Sequence, residues 1–338
     1  MVIHVPALLV FDARWIGSHG IGRFAGEVRK AMPPGTRDLR GEDPVSLSGV
    51  WQSLRAAVNM AMRGRSMFYS PGFAPPIFWR GPIVLTVHDL MHLDVHDSPV
   101  HVRAFYRWIV RPHLRRARAV LTVSEESRRR VATWAGVPLE RVHNVGNGVD
   151  DCYRADGPSL DLGAPYIFYI GNHKPHKNVP RLIAAFGQAE LPEGTLLAFS
   201  GPRNETILDL ARQVGVEARV RFLGMIPEAE LPATYRGASA LAMPSIHEGF
   251  GLPGLEAAAS GTPAVVGQTS AMPEVLGEAA VYVDAMSTPS IARGLERAFT
   301  DEAILFAQTE GPRRAELYNW EDVGKRVIRI LDAVRAGA

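Results

Sequence analysis

Cysteine is nearly missing from the 338 residues: Cys152 stands alone, which excludes an internal disulfide and any cysteine-rich metal site and suits a reducing compartment. Long hydrophobic runs are missing too. No apolar stretch approaches the roughly 18 residues that a bilayer span needs, and residues 1–12 lack the charged flank and cleavage pattern of a secretory leader. The expectation is a cytoplasmic chain, at most peripheral at the inner face of a membrane. Nor is there an excess of one charge. With 37 Lys and Arg against 35 Asp and Glu the formal net charge is +2, so nothing global points to nucleic acid as a partner. Internal repeats, low-complexity tracts and Asp-x-Asp pairs are likewise absent from the sequence. What is present is globular composition, 46% hydrophobic and 21% charged, in a chain long enough for two domains.

Short β-rich apolar runs recur at residues 8–11, 83–87 and 120–123, then at 166–170, 196–199, 220–223, 241–243, 264–266 and 280–283. They alternate with helix-like stretches, which predicts parallel sheets covered by helices on both faces. Between the two series, residues 153–165 carry Gly157, Pro158, Gly163 and Pro165, the composition of a linker. The expected organisation is α/β: one doubly wound domain over 1–155, a second over 164–319, and a last helix over 320–338 crossing back to the first. In that helix Val323, Val327, Ile330, Leu331 and Val334 form one face. Doubly wound sheets bind ligands beyond the carboxyl ends of their strands, so two of them facing each other would form a central cleft.

The most informative stretch is Pro244-Ser-Ile-His-Glu-Gly-Phe-Gly251, followed by Leu252-Pro-Gly-Leu-Glu-Ala-Ala-Ala259. A strand leads into a glycine loop and then a helix, with Pro253 suited to its first position and Gly261 to the left-handed position past its end. Free N–H groups and the dipole at such a helix start hold phosphate without a metal, and Gly249 and Gly251 let backbone approach. Glu248 in the loop is placed for sugar hydroxyls; Glu256, about a turn into the helix, is placed to accept from ribose hydroxyls. Taken alone, the pattern also reads as a glycine-rich turn with solvated glutamates.

The stretch resembles the retaining, metal-independent glycosyltransferases of family 4 (group 1, mannosyltransferase-like), whose hallmark is two glutamates separated by seven residues within Pro-Ser-x-x-Glu-Gly-Phe-Gly-Leu-Pro. Other segments extend the resemblance in the family's order. Gly171-Asn-His-Lys-Pro-His-Lys-Asn178 resembles the first loop of the C-terminal domain, in which Asn172, His176 and Lys177 would meet the donor, Lys177 compensating the departing diphosphate. Many members carry arginine where this chain has His176. Ser200-Gly-Pro202 and Phe222-Leu-Gly224 resemble the stretches that line base and ribose, which implicates Gly201, Leu223 and Gly224. Phe250 and Leu252 complete the donor loop, and Glu274 in Ala271-Met-Pro-Glu-Val-Leu-Gly277 is equally a structural and a functional candidate.

In the first half, Gly17-Ser-His-Gly-Ile-Gly-Arg-Phe24 resembles the family's Gly-x-Gly-Arg-Tyr loop. Gly20, Gly22 and Arg23 would then help bind diphosphate or acceptor, although the same glycines also suit a plain turn. Thr86-Val-His-Asp-Leu-Met-His-Leu-Asp-Val-His-Asp97 holds three histidines and three aspartates, and by itself suits a metal site. Against that, His88 and Asp89 match the family's Thr-x-His-Asp-Leu, which puts a histidine beside the donor sugar, and no metal is expected. Arg103, Arg107, Arg111 and Arg115 follow at i, i+4 spacing among Phe105, Tyr106, Trp108 and Ile109. They make a basic stripe for an anionic membrane or a lipid-linked acceptor, or else a solvated helix face. Arg128, Arg129 and Arg130, just after Ser124, continue that basic surface.

The resemblance implies a GT-B fold, two Rossmann-like doubly wound domains facing a central cleft, and retention of anomeric configuration through front-face displacement. His88, Glu248 and Lys177 would support the reacting centre. No cofactor is needed beyond the nucleotide-sugar donor; GDP-mannose is favoured and a UDP-sugar is second. The acceptor would be a glycan or a lipid-linked glycan in polysaccharide or glycoconjugate assembly. A nucleotide-sugar epimerase, a metal-dependent hydrolase using the cluster from His88 to Asp97, and a silent binding homologue are the rivals.

Overall fold

The computed structural model describes residues 8–17, 20–41, 44, 66–76, 79–94 and 99–337. Ser18 and His19 of the glycine loop, and residues 95–97 of the His/Asp stretch, lie outside the described residues. The chain divides into two units, one of residues 1–148 with 320–338 and one of residues 149–319.

The first unit is built on six parallel strands in the order β2-β1-β3-β4-β5-β6. They are β1 (Leu9–Asp12), β2 (Arg37–Leu39), β3 (Met67–Ser70), β4 (Ile83–Thr86), β5 (Ala119–Thr122) and β6 (Val142–Asn144). Every residue of β1, β3, β4 and β5 is buried, because helices cover both faces and leave no side to alternate toward water. The strands β2, β3 and β6 are additions to the sequence reading. β2 is an edge of Arg-Asp-Leu whose Asp38 accepts from Arg29 Nε at 2.5 Å, so its signal is ionic rather than apolar. The core joins Val10, Phe68, Leu85 and Val120 to Tyr106, Val110 and Leu114 from the helical stretch after β4.

The helix Trp320–Ala336 packs on the helix Gly20–Ala31 of this unit, with Gly324 against Ala31. Of its apolar face, Val323, Val327 and Leu331 are buried, while Ile330 and Val334 are half-exposed. Arg326 Nε donates to Val145 O at 2.9 Å, and Trp320 meets the Phe24 ring edge-on.

The second unit carries β7 (Tyr166–Tyr169), β8 (Leu196–Phe199), β9 (Val220–Phe222), β10 (Ala240–Met243), β11 (Ala264–Gly267) and β12 (Val281–Val283), in the order β12-β11-β10-β7-β8-β9. Numbered within the unit this is 3-2-1-4-5-6, the Rossmann order, whose direction reverses between β7 and β10. The first unit instead reads 2-1-3-4-5-6, the flavodoxin-like order, and reverses between β1 and β3. The two sheets are therefore both doubly wound but not copies of one topology.

The stretch expected as a linker is bound to the second unit, so the boundary falls at Gly148 rather than at 155. Leu160 N donates to Ala233 O at 2.9 Å, Arg236 reaches Pro158 O and Arg154 O at 2.7 and 3.1 Å, and Tyr153 packs edge-on to Tyr235. Cys152, just before that stretch, is exposed.

Leu331 is 1% exposed at the contact with the first unit. Leu331→Ala is expected to cost about 2–4 kcal/mol through lost burial and a residual cavity. Denaturant unfolding followed by tryptophan fluorescence would measure the loss.

Candidate active site

In an open doubly wound sheet, ligands collect where the strand order reverses, because the loops after the two central strands diverge there. In the second unit those loops follow β7 and β10, and they contain Lys177 and Glu248. Asn178 joins them. It is buried and left-handed (φ 62°), a conformation asparagine tolerates better than most residues. From there Nδ2 donates to Pro244 O at 3.0 Å and Ala285 O at 2.6 Å, while Oδ1 accepts from Arg181 Nη1 at 2.9 Å. One side chain thus ties the β7 loop to those after β10 and β12. Ile246 N adds a bond to His176 O at 2.8 Å.

Held this way, Lys177 Nζ donates to Glu248 Oε1 at 2.7 Å, with the two side chains only 13% and 7% exposed. Glu248 N in turn donates to Ser270 Oγ at 3.0 Å. Nearby, Tyr169 OH donates to Asn172 O at 2.6 Å; burial, with the Glu248 charge added, raises its pKa and keeps it a neutral donor.

The helix Leu252–Ala259 starts after Gly251, which is left-handed at φ 85° and where a Cβ would collide with Met272 Sδ. The positive φ calls for glycine there, and a Cβ would also make the flexible Met272 side chain shift. The helix begins at Leu252, so Pro253 is its second residue, not its first. Proline has no N–H, and the N–H groups of Gly254 and Leu255 already donate to Gly251 O. The anion-binding capacity of this start therefore rests on the N–H groups of Gly251 and Leu252, with the helix dipole behind them.

Glu256 is buried, and its Oε2 accepts from Tyr235 OH at 2.7 Å. Tyr235 is locked in turn by the rings of Tyr153 and Phe168 and by Thr262 Oγ1, which donates to Tyr235 O at 2.7 Å. Sequence reasoning missed Tyr235, because it lies in the helix before β10 (Leu231–Gly237) and belongs to no motif. Gly249 and Phe250 are buried, Phe250 edge-on to Tyr318, so they pack the corner as well as shape it. At the ends of β8 and β9, Gly201 N donates to Gly224 O at 2.7 Å, and Leu223 N to Phe199 O at 2.9 Å. His173 lies against the rings of Tyr169 and Phe199, and partial desolvation lowers its pKa. The backbone at Glu274 is held by Arg314 and Tyr318, which accounts structurally for the position.

Two hollows of about 580 and 270 Å³ lie elsewhere on this unit, the first along β9 and the second lined by Glu278, Arg297 and Phe306 among others. Neither includes Lys177, Glu248 or Glu256.

In the first unit, His88 follows β4, buried, its Nε2 3.0 Å from Pro71 O and its ring edge-on to Phe24. Facing a carbonyl oxygen, Nε2 is the donor of that bond. Asp89 Oδ1 accepts from Met91 N at 3.0 Å and caps the short turn after it. Among the described residues no group of three or more His, Cys, Asp and Glu is placed to hold a metal.

Gly20 begins its helix exposed, Arg23 is half-buried, and Gly22 is buried where a Cβ would collide with the Gly17 backbone. Packing, rather than access, fixes glycine at Gly22. A further pair, absent from the sequence reading, sits after β1: Arg14 Nε and Nη2 donate to Asp12 Oδ1 and Oδ2 at 2.6 and 2.7 Å, both side chains out of solvent. Burial raises the Asp12 pKa while Arg14 pulls against it. Beside them Trp15 Nε1 donates to Ser70 Oγ at 3.0 Å. The signal was available: an aspartate ending an apolar strand with arginine two residues on.

The arginines do not form one stripe. Val100–Phe105 runs into a π turn, Tyr106–Val110, and then Arg111–Arg116, and the extra residue of such a turn rotates the next helical segment about its axis. Arg103 and Arg107 are exposed, with Arg107 over the Trp108 ring, which is 69% exposed. Arg111 turns toward Trp134, and Arg115 Nε donates to Ala135 O at 2.7 Å. Arg128 donates to Val142 O at 2.6 Å, and Ser124 Oγ caps the following helix by accepting from Ser127 N. Among the described residues no helix is long and apolar enough to cross a membrane.

At the reversal of strand order the second unit thus brings together a glycine-initiated helix start, a lysine and two glutamates. The family described as Glycosyl transferases group 1 matches residues 156–315, and Glycosyltransferase Family 4 matches residues 62–152. The chain belongs to this family and has its GT-B fold. O-antigen chain mannosyltransferase B of Escherichia coli is 28% identical over 63% of this chain and 60% of its own length. The MMP alpha-(1->4)-mannosyltransferase of Mycolicibacterium hassiacum is 30% identical over 74% of this chain and 65% of its own. The chain thus spans less than two thirds of the curated relatives it matches. Anabaena HepE, solved with UDP and glucose, superposes with a TM-score of 0.76 at 15% identity, covering 97% of this chain and 99% of that one.

Asn178→Ala should weaken the second unit by about 2 kcal/mol or more, since two buried carbonyls lose their donor and a left-handed backbone gains strain. A fall in the thermal midpoint, with amide exchange accelerated in the loops after β7 and β10, is the expected reading.

Proposed function

We propose that the protein transfers a sugar, mannose from GDP-mannose, to a glycan or lipid-linked acceptor, with retention of configuration and without a metal. The observation that carries the reading is the Lys177–Glu248 pair at the strand-order reversal, beside a glycine-initiated helix that holds Glu256. Mannose is favoured by the two mannosyltransferase relatives. A UDP-sugar is the second reading, favoured by the UDP in Anabaena HepE.

In this reading the donor diphosphate takes Lys177 and the N–H groups of Gly251 and Leu252, which neutralise it as it leaves. Glu248 accepts from sugar hydroxyls and Glu256 from the ribose, with Asn172, His176, Gly201, Leu223 and Gly224 around the nucleotide. His88 is assigned to the sugar, and Gly20 and Arg23 to diphosphate or acceptor. The bond from the anomeric carbon to phosphate oxygen breaks, the bond to the acceptor oxygen forms on the same face, and the acceptor proton passes to the departing phosphate. Few protein groups need act as acid or base. Arg103, Arg107 and Trp108 offer a basic and aromatic surface for an anionic membrane carrying the acceptor.

Calorimetric titration with GDP, UDP, ADP and dTDP, each with magnesium and with chelator, tests the donor. Metal-independent preference for GDP supports the first reading and preference for UDP the second. Lys177→Ala is expected to lower kcat about 100-fold, in the range for removing one preorganised charge from a leaving group. Turnover without acceptor would point to an epimerase, and donor binding without turnover on any acceptor to a silent homologue.

A further inference from the structure

The cation assigned to the diphosphate already has a carboxylate on it, because Glu248 Oε1 sits 2.7 Å from Lys177 Nζ in a nearly buried pair. A phosphate oxygen that takes Lys177 as well lies roughly 4.5 Å from that carboxylate, two hydrogen-bond lengths around one tetrahedral nitrogen. At that distance, out of bulk water, like charges repel strongly.

The repulsion differs between the two nucleotides of the reaction. A nucleotide sugar carries one charge on each phosphate, and its sugar hydroxyls can donate to Glu248. The nucleoside diphosphate left after transfer has lost those hydroxyls and gained an ionisable terminal oxygen with a pKa of about 6. The same carboxylate therefore repels the product more than the donor, whose sugar hydroxyls it also binds.

Building on the transferase reading, we infer that Glu248 sets the preference of the site for sugar-bearing over bare nucleoside diphosphate, and so drives product release through its hold on Lys177. The loop bonds fix this geometry: Glu248 N on Ser270 Oγ, and the Lys177 turn anchored by Asn178. A retreat of the Glu248 main chain from the incoming charge would break the first of these, so only rotation of its nearly buried side chain could relieve the repulsion.

Glu248→Gln keeps the shape and removes the charge. Titrated with GDP or UDP, whichever the wild type binds, the variant should bind the nucleoside diphosphate about tenfold more tightly. The corresponding nucleotide sugar should bind no more tightly than to the wild type. The affinity gain should be larger at pH 8 than at pH 5.5, where the terminal phosphate is protonated, and product inhibition in steady-state assays should deepen. Glu248→Asp draws the charge back by one methylene and should show the same change by a smaller factor; it covers a glutamine form that fails to fold. A purely structural role for Glu248 would weaken both ligands alike. Unchanged or weaker nucleoside diphosphate binding in the variants overturns the inference and leaves the transferase reading standing. Failure of every nucleoside diphosphate to bind the wild type overturns both.

Discussion

The second unit depends on one buried amide. Asn178 bonds the loops that follow β7, β10 and β12, and so joins strands on both sides of the point where the sheet's order reverses. Without that amide, Pro244 O and Ala285 O would be carbonyls without their donor in a dry interior, each costing about as much as a lost hydrogen bond. With it, the short turn Pro175–Lys177 and the corner from Pro244 to Gly251 are held side by side, and Lys177 and Glu248 have little freedom to separate. The left-handed backbone of Asn178 is the local strain that this joint entails, and its three hydrogen bonds outweigh it.

A second constraint acts through the corner at Gly251. The left-handed turn redirects the chain from β10 into the helix Leu252–Ala259, while Met272 fills the place where a side chain would stand. That helix is buried along most of its length, so Glu256 is carried into the interior and meets Tyr235 there. A carboxylate in such a place needs a donor, and the tyrosine supplies one while the surrounding rings fix its direction.

Much of this was legible in the sequence. The strands β8 and β10 to β12 stand within a residue of where their apolar runs placed them, because parallel strands covered on both faces are continuous in hydrophobicity. The glycine loop, Gly261 and the two glutamates were readable from spacing. What was hidden depended on partners far away in the chain. β2 and β6 are short edges with charged or polar residues, Tyr235 acts on a carboxylate 21 residues on, and the pairing of Lys177 with Glu248 spans 71 residues. The arginine spacing was read for an ideal helix, and the π turn at Tyr106–Val110 broke the phase. Residues 153–165 had the composition of a linker, yet Arg236 and Tyr235 bind part of them to the second unit.

The helix Trp320–Ala336 completes the first unit with residues that follow the second in sequence, whereas the second unit is one uninterrupted segment, 149–319. On the ribosome these two facts set an order. Chains emerge from the N-terminus and domains fold as units, so the second unit is synthesised whole while the first still lacks Val323, Val327 and Leu331. The half that is translated first is the half that finishes last, and until residues 320–336 have been made the helix Gly20–Ala31 keeps an uncovered apolar face.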